Sequence, residues 1–141
     1  MMESCEYVMT AIANYLLTKD IESTQVENSK MLIVIEKFID MIEKNLKTKC
    51  GLDEDELFVI CLRGSNFRWQ LNQLFEDNEH QISWEFIGRI MTYFAQVVEM
   101  LMSTNQDTYG FLVEMYNFVR EHDMNTWIAK QPRQWMNIVE N

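Results

Sequence analysis

The sequence predicts an all-α helical bundle built around one central apolar helix at about residues 82–103. Three observations lead there. In residues 82–103, 14 of 22 side chains are apolar or aromatic, and they fall on nearly every side of a helix, as they do in a helix buried within its domain. The 141 residues include only four glycines and one proline, while Met, Leu, Ile, Glu, Lys and Gln, which favour helix, are frequent. No stretch of useful length alternates apolar and polar residues with the period of two that marks a strand.

The elements follow in order. A first helix over about 3–18 carries Cys5, Val8, Met9, Ile12 and Leu16 on one stripe, at the i, i+3, i+4, i+7 spacing of a helix face. A polar loop spans 19–28. Ser29 is placed to cap a second helix running to about 48, with Ile35, Phe38, Ile39, Ile42 and Leu46 inward; Gly51 stands where a helix C-terminus often places one. Asp53 and Glu56 form a variant capping box for a short third helix through Leu57, Ile60 and Cys61, ended by Gly64. The fourth helix, about 66–77, carries Phe67, Leu71, Leu74 and Phe75 on one face. Ser83 is a fair N-cap for the central helix. A sixth helix at about 107–122 turns Phe111, Leu112, Met115, Phe118 and Val119 inward. Two short segments, 126–131 and 133–139, close the chain, divided by Pro132 and each holding a tryptophan.

The totals bound the function. A chain of 141 residues forms one domain, 1–141, and can bury a real core. Its 12 basic and 22 acidic residues give a net charge of −10, which disfavours nucleic acid and anionic membrane surfaces as partners. Cys5, Cys50 and Cys61 lie far apart and read as free thiols in a reducing compartment. The start shows no basic region followed by an apolar run, so no secretion signal is expected. Only nine residues separate Arg89 from Glu99 in the central helix, whereas a membrane span needs about 20 apolar residues.

The search for chemistry predicts no enzyme, no metal and no cofactor. There is no glycine-rich phosphate loop, nucleophile elbow or paired-histidine metal motif. His80 and His122 read as surface histidines, the latter at a helix end where an imidazolium suits the dipole. The carboxylates at 53–56 read as a solvated helix start. Cys61, flanked by Val59, Ile60 and Leu62, reads as a core thiol. Gly88 and Arg89 are the odd pair in the central helix: a glycine admits a neighbouring backbone, and the arginine beside it offers that neighbour a permanent charge.

These residues resemble the Bcl-2 family, and the compact chain resembles a viral homologue. The run Leu71-Asn72-Gln73-Leu74-Phe75-Glu76-Asp77 is similar to the family's Asn-Glu-Leu-Phe-Arg-Asp helix end. Gly88-Arg89-Ile90-Met91-Thr92-Tyr93-Phe94 resembles the first homology region, with its Asn-Trp-Gly-Arg core. Trp127-Ile128 and Trp135-Met136-Asn137-Ile138-Val139-Glu140 resemble the second. Departures accompany the likeness. Phe86-Ile87 replaces Asn-Trp, Trp84 lies one turn earlier, and Pro132-Arg133 replaces a glycine pair. Ile39-Asp40 stands where the family's own BH3 motif has Gly-Asp, which argues against a killer role.

The resemblance implies an anti-apoptotic protein that sequesters the BH3 helix of a pro-apoptotic partner in a hydrophobic groove, the helix-in-groove mode attributed to this family. It implies that the second to fifth helices form the groove. Ile42, Leu46, Phe58, Leu62, Leu71 and Leu74 would line it, and Gly88 would admit the ligand backbone. Arg89 would pair with the ligand's aspartate, Thr92 would follow one turn on, and Trp127 would close one end. It further implies a place in the host cytoplasm, with the mitochondrial outer membrane surface as one site of action. A homodimer is compatible with it, and no transmembrane anchor is expected in this chain. The alternative is a dimeric scaffold of the same fold that modulates host signalling without using the groove.

Overall fold

The structure is a computed structural model. It describes residues 3–48 and 66–140, with side chains for 3–44 and 67–140. It is all-helical, and no strand occurs among the described residues. The elements are α1 (Cys5–Thr18), a 3₁₀ turn (Ile21–Thr24), α2 (Ser29–Thr48), α3 (Asn66–Asp77), α4 (Trp84–Ser103), α5 (Tyr109–Glu121), α6 (Met124–Lys130), a second 3₁₀ turn (Gln134–Met136) and α7 (Asn137–Glu140). The third helix expected at 53–63, with Gly51, Cys50, Cys61 and the carboxylates at 53–56, lies outside the described residues.

Local chemistry sets the helix starts. The Ser4 side chain accepts the Tyr7 N–H and starts α1. Ser83 accepts the Phe86 N–H at 3.0 Å and starts α4. The start of α2 differs from the expectation. Asn28, not Ser29, supplies the capping oxygen, accepting the Lys30 and Met31 N–H groups at 3.0 and 3.3 Å. Ser29 is already helical, because the Asn side chain one residue earlier reaches the same free donors.

α4 is the centre. Phe86, Ile87, Ile90, Met91, Phe94, Ala95, Val97, Val98 and Leu101 are all closed from solvent. Its largest packing partners are α2 and α1, with α3 on a further side. Phe111 of α5 stacks on Phe94 at 5.8 Å and meets Phe67 of α3 edge-on at 4.8 Å. α5 runs antiparallel to α1: Tyr116 and Thr10 share a hydrogen bond at 3.0 Å, and Arg120 pairs with Glu6 at 3.6 Å.

The tail is tied to the beginning of the chain. The Trp135 indole N–H donates to the Glu3 carbonyl at 2.7 Å, and its ring meets Phe38 and Trp84 edge-on. Asn125 accepts the Cys5 N–H at 2.7 Å and donates to Glu6 at 2.9 Å. The two terminal tryptophans therefore pin the short segments to the bundle, Trp135 in the core and Trp127 half-buried against Trp84 at 5.2 Å.

Candidate ligand-binding face

The central helix is less uniform than its apolar content suggests. Glu85, Arg89, Thr92, Gln96, Glu99 and Ser103 follow one another at spacings of 4, 3, 4, 3 and 4 residues. At roughly 100° per residue these six lie within an arc of about 80°, so a single polar line runs down an otherwise apolar helix. The line is exposed at both ends and covered in the middle. Arg89 and Glu85 reach solvent at its start, Thr92 and Gln96 are buried, and Glu99 pairs with Lys19 beyond them.

At the exposed start, Arg89 donates from Nη2 to Glu85 Oε1 at 2.9 Å, with side chains 48% and 72% exposed. Among the described residues this is its one ion pair. Gly88 is buried. A Cβ built there would stand 3.4 Å from Met41 Cε of α2, so the space left by the missing side chain is bordered by a flexible methionine end. The Gly88 carbonyl accepts the Thr92 hydroxyl at 3.0 Å. Tyr93, beside Thr92, donates to the Phe67 carbonyl at 3.5 Å and links α4 to α3.

The structure distributes the remaining candidate residues unevenly. Ile42 and Leu71 are closed into the core and offer no open surface. Leu74 is partly buried against the core, as is Trp127. Leu46, Phe58 and Leu62 fall outside the described side chains. Three residues were not singled out from the sequence: Glu85, which pairs with Arg89, Met41, which meets Gly88, and Gln96, further along the polar line. The 4-3 spacing of polar residues was the available signal for Glu85 and Gln96. Met41 had none, since its meeting with Gly88 depends on how α2 crosses α4.

Other groups settle elsewhere. His122 was expected at the surface, yet its ring lies 4.4 Å from both Phe75 and Phe118. Burial holds its pKa below the ordinary histidine value; Arg68 and His80 push the same way, and Glu121 and Asp123 oppose them. Arg68 binds Glu121, approaches Glu114 at 3.9 Å and lies over the Phe118 ring at 5.7 Å. Cys5 is buried, which pushes its thiol pKa far up, away from the reactive thiolate. Among the described residues no cluster of three or more His, Cys, Asp or Glu is placed to hold a metal, and no helix is long and apolar enough to cross a membrane.

A surface pocket of about 590 Å³ opens between the start of α2 and the tail, floored by Met31, Val34 and Trp135 and rimmed by Lys30, Arg133 and Glu140. A second, of about 490 Å³, is lined by Ile21, Glu22, Leu32 and the four residues from Thr24 to Glu27. Neither is lined by a residue of the polar line. Comparison with family models finds no match, and no curated protein or solved structure matches the chain.

Proposed function

We propose that the chain is an anti-apoptotic protein of Bcl-2 type, which sequesters an amphipathic, aspartate-bearing BH3 helix and does no chemistry. The observation that carries this reading is Arg89, a cation beside a glycine on the central helix, held by one exposed glutamate. An exposed i,i+4 ion pair contributes only about 0.3–0.5 kcal/mol. Arg89 can therefore leave Glu85 for an incoming carboxylate at little cost. Once a ligand covers the new pair, truncating it costs about 2–5 kcal/mol. Met41 is the movable neighbour at Gly88, and a side chain with three rotatable bonds can yield to a ligand backbone.

Magnitudes make Arg89 necessary to this reading. Four apolar anchors at ~1.5–3 kcal/mol each give ~6–12 kcal/mol gross, association costs remove several, and nanomolar binding requires about 12 kcal/mol net. The test is a calorimetric titration of a panel of BH3 peptides into the wild type and an Arg89→Ala variant. At least one peptide should bind, weakened tenfold or more by the substitution. Silence across the panel, from folded helical protein, would sink the reading. With Phe86-Ile87 in place of an amide-bearing motif, a narrow choice of peptides is expected; near-equal affinity across the panel would count against that selectivity.

A second reading, the dimeric scaffold, draws on a different face. Leu17 and Tyr109 are each 71% exposed, and Val113 is exposed too. The pairs Glu6–Arg120 and Thr10–Tyr116 set an antiparallel register, which puts the C-terminal end of α1 with Leu17 and the N-terminal end of α5 with Tyr109 at the same end of the bundle. An exposed apolar edge of this kind suits a protein partner. Sedimentation velocity on the wild type and a Leu17→Glu, Tyr109→Glu variant separates the readings. A dimer lost in the variant, with peptide binding absent from both, favours the scaffold.

A further inference from the structure

The larger surface pocket lies away from the polar line of α4. Its volume of about 590 Å³ falls within the range of about 300–1,000 Å³ that small-molecule sites occupy. The floor belongs to the packed core: Val34 is closed from solvent, and Trp135 and Met31 are 3% and 7% exposed. Trp135 brings no free donor to it, because its indole N–H is given to the Glu3 carbonyl at 2.7 Å. Half-buried Met136 lines the pocket as well, together with Lys30 and Arg133, whose methylene stems are apolar beneath their charged tips.

The wall on the tail side is held in place. The Asn137 amide donates to the Pro132 and Gln134 carbonyls at 2.7 and 2.6 Å, which closes the turn that carries Arg133. Arg133 and Gln134 both hold positive φ, 64° and 45°, a costly conformation for residues other than glycine. Strain of that kind collects where ligands are bound.

Charge at the rim is unevenly matched. Arg133 is paired with Glu140 through one nitrogen, which leaves further guanidinium donors. Lys30 makes no ion pair with any described residue. It stands in the first turn of α2, where no acidic residue accompanies it and the helix dipole disfavours a cation. Glu3 is placed the other way, just before α1, where the dipole favours a negative charge. Lys30 is therefore the rim charge that lacks compensation, and an anion supplies it.

We infer that this pocket binds a small amphipathic monoanion, an aromatic or aliphatic carboxylate. Its apolar body rests on Met136, Met31 and Trp135, and its carboxylate meets Lys30 with the spare Arg133 donors beside it. The site is separate from the helix-binding face and stands or falls without it.

The test titrates naphthylacetate and its uncharged amide, naphthylacetamide, into the isotope-labelled full chain and follows the Trp135 indole N–H by NMR. Both should shift that signal, and the carboxylate should bind about two- to fivefold more tightly, the advantage an exposed ion pair allows. The advantage should shrink in high salt and vanish in Lys30→Gln, shown by circular dichroism to be folded, while Arg89→Ala changes nothing. The salt dependence of the wild type tests the same charge without a substitution. No shift of the Trp135 signal by either compound in folded wild type overturns the site. Equal affinities, or a carboxylate preference that survives both high salt and Lys30→Gln, overturn its choice of an anion. Binding lost in Arg89→Ala puts the compounds on the helix-binding face and overturns the site as well.

Discussion

Arg89 is paired with a residue one turn earlier. Glu85 holds the guanidinium at 2.9 Å from a position 72% exposed, and it stands in the first turn of α4, where a negative charge suits the helix dipole. Replacing it by Gln removes both small effects, so thermal stability should fall by no more than about 1 kcal/mol. Peptide affinity should rise severalfold, because the ligand's acid no longer meets a like charge or a competitor for Arg89. Equal affinities in calorimetry would show that Glu85 does not gate the arginine. His122 makes a second prediction. Its neutral ring packs against Phe75 and Phe118, and its folded pKa is lowered, chiefly by burial. The unfolded chain therefore takes up the proton first. This stability is present above the ordinary value near ~6.5 and is lost as pH falls through the lowered folded pKa. Urea melts at pH 7.5 and 5.5 should show a loss that a His122→Phe variant reduces; an unchanged loss would refute the assignment. Tyr15 works in the opposite range. Its hydroxyl donates to Glu43 at 2.6 Å, and its pKa is pushed up to about 12, first by that bond. The associated stability is present below pH ~10 and is lost as pH rises through about 12.

At the scale of elements, the crossing of α2 over α4 is the informative contact. Gly88 costs about 1 kcal/mol of helix propensity relative to Ala, and the nearest atom to a built Cβ is a methionine methyl at 3.4 Å. Gly88→Ala should therefore be neutral or raise stability by up to about 1 kcal/mol. Gly88→Leu must displace Met41 and should cost about 1–3 kcal/mol, as overpacking does. Thermal melts of the two variants decide this; an Ala variant that loses 2 kcal/mol would mean the crossing is tighter than it looks. Helix extents were readable because periodicity and caps are local. Ser83 and the run 66–77 are placed as the chain alone predicts. The start of α2 moved by one residue because an asparagine and a serine compete for the same free N–H groups, and only backbone geometry decides between them.

For the whole molecule, the tail holds the two chain ends together. Trp135 bonds the Glu3 carbonyl and packs on Phe38 and Trp84. Trp135→Ala should cost about 3–5 kcal/mol, as truncation of a large buried aromatic does, and it leaves a carbonyl without its donor. A loss under 1 kcal/mol in denaturant melts would show that the tail docks independently of the core. Net charge acts at the same scale. At −10 copies of the chain repel one another, so any dimer through Leu17 and Tyr109 should tighten as salt rises, which sedimentation at low and high ionic strength would reveal.

The sequence by itself determined that the chain is helical, that its buried centre is a helix at about residues 82–103, observed at 84–103, and where most helices begin, because composition, a 3.6-residue period and capping side chains all act within a few residues of one another. It also picked out Arg89, since a fixed charge on an apolar helix is visible without coordinates. Only the tertiary structure decided that Gly88 lies under Met41, that Ile42 and Leu71 are closed into the core, that His122 is wedged between two phenylalanines, and that Gln96 is buried. Each of those depends on contact between residues distant in the chain, where the angle and depth at which helices pack set burial, and no local pattern encodes them.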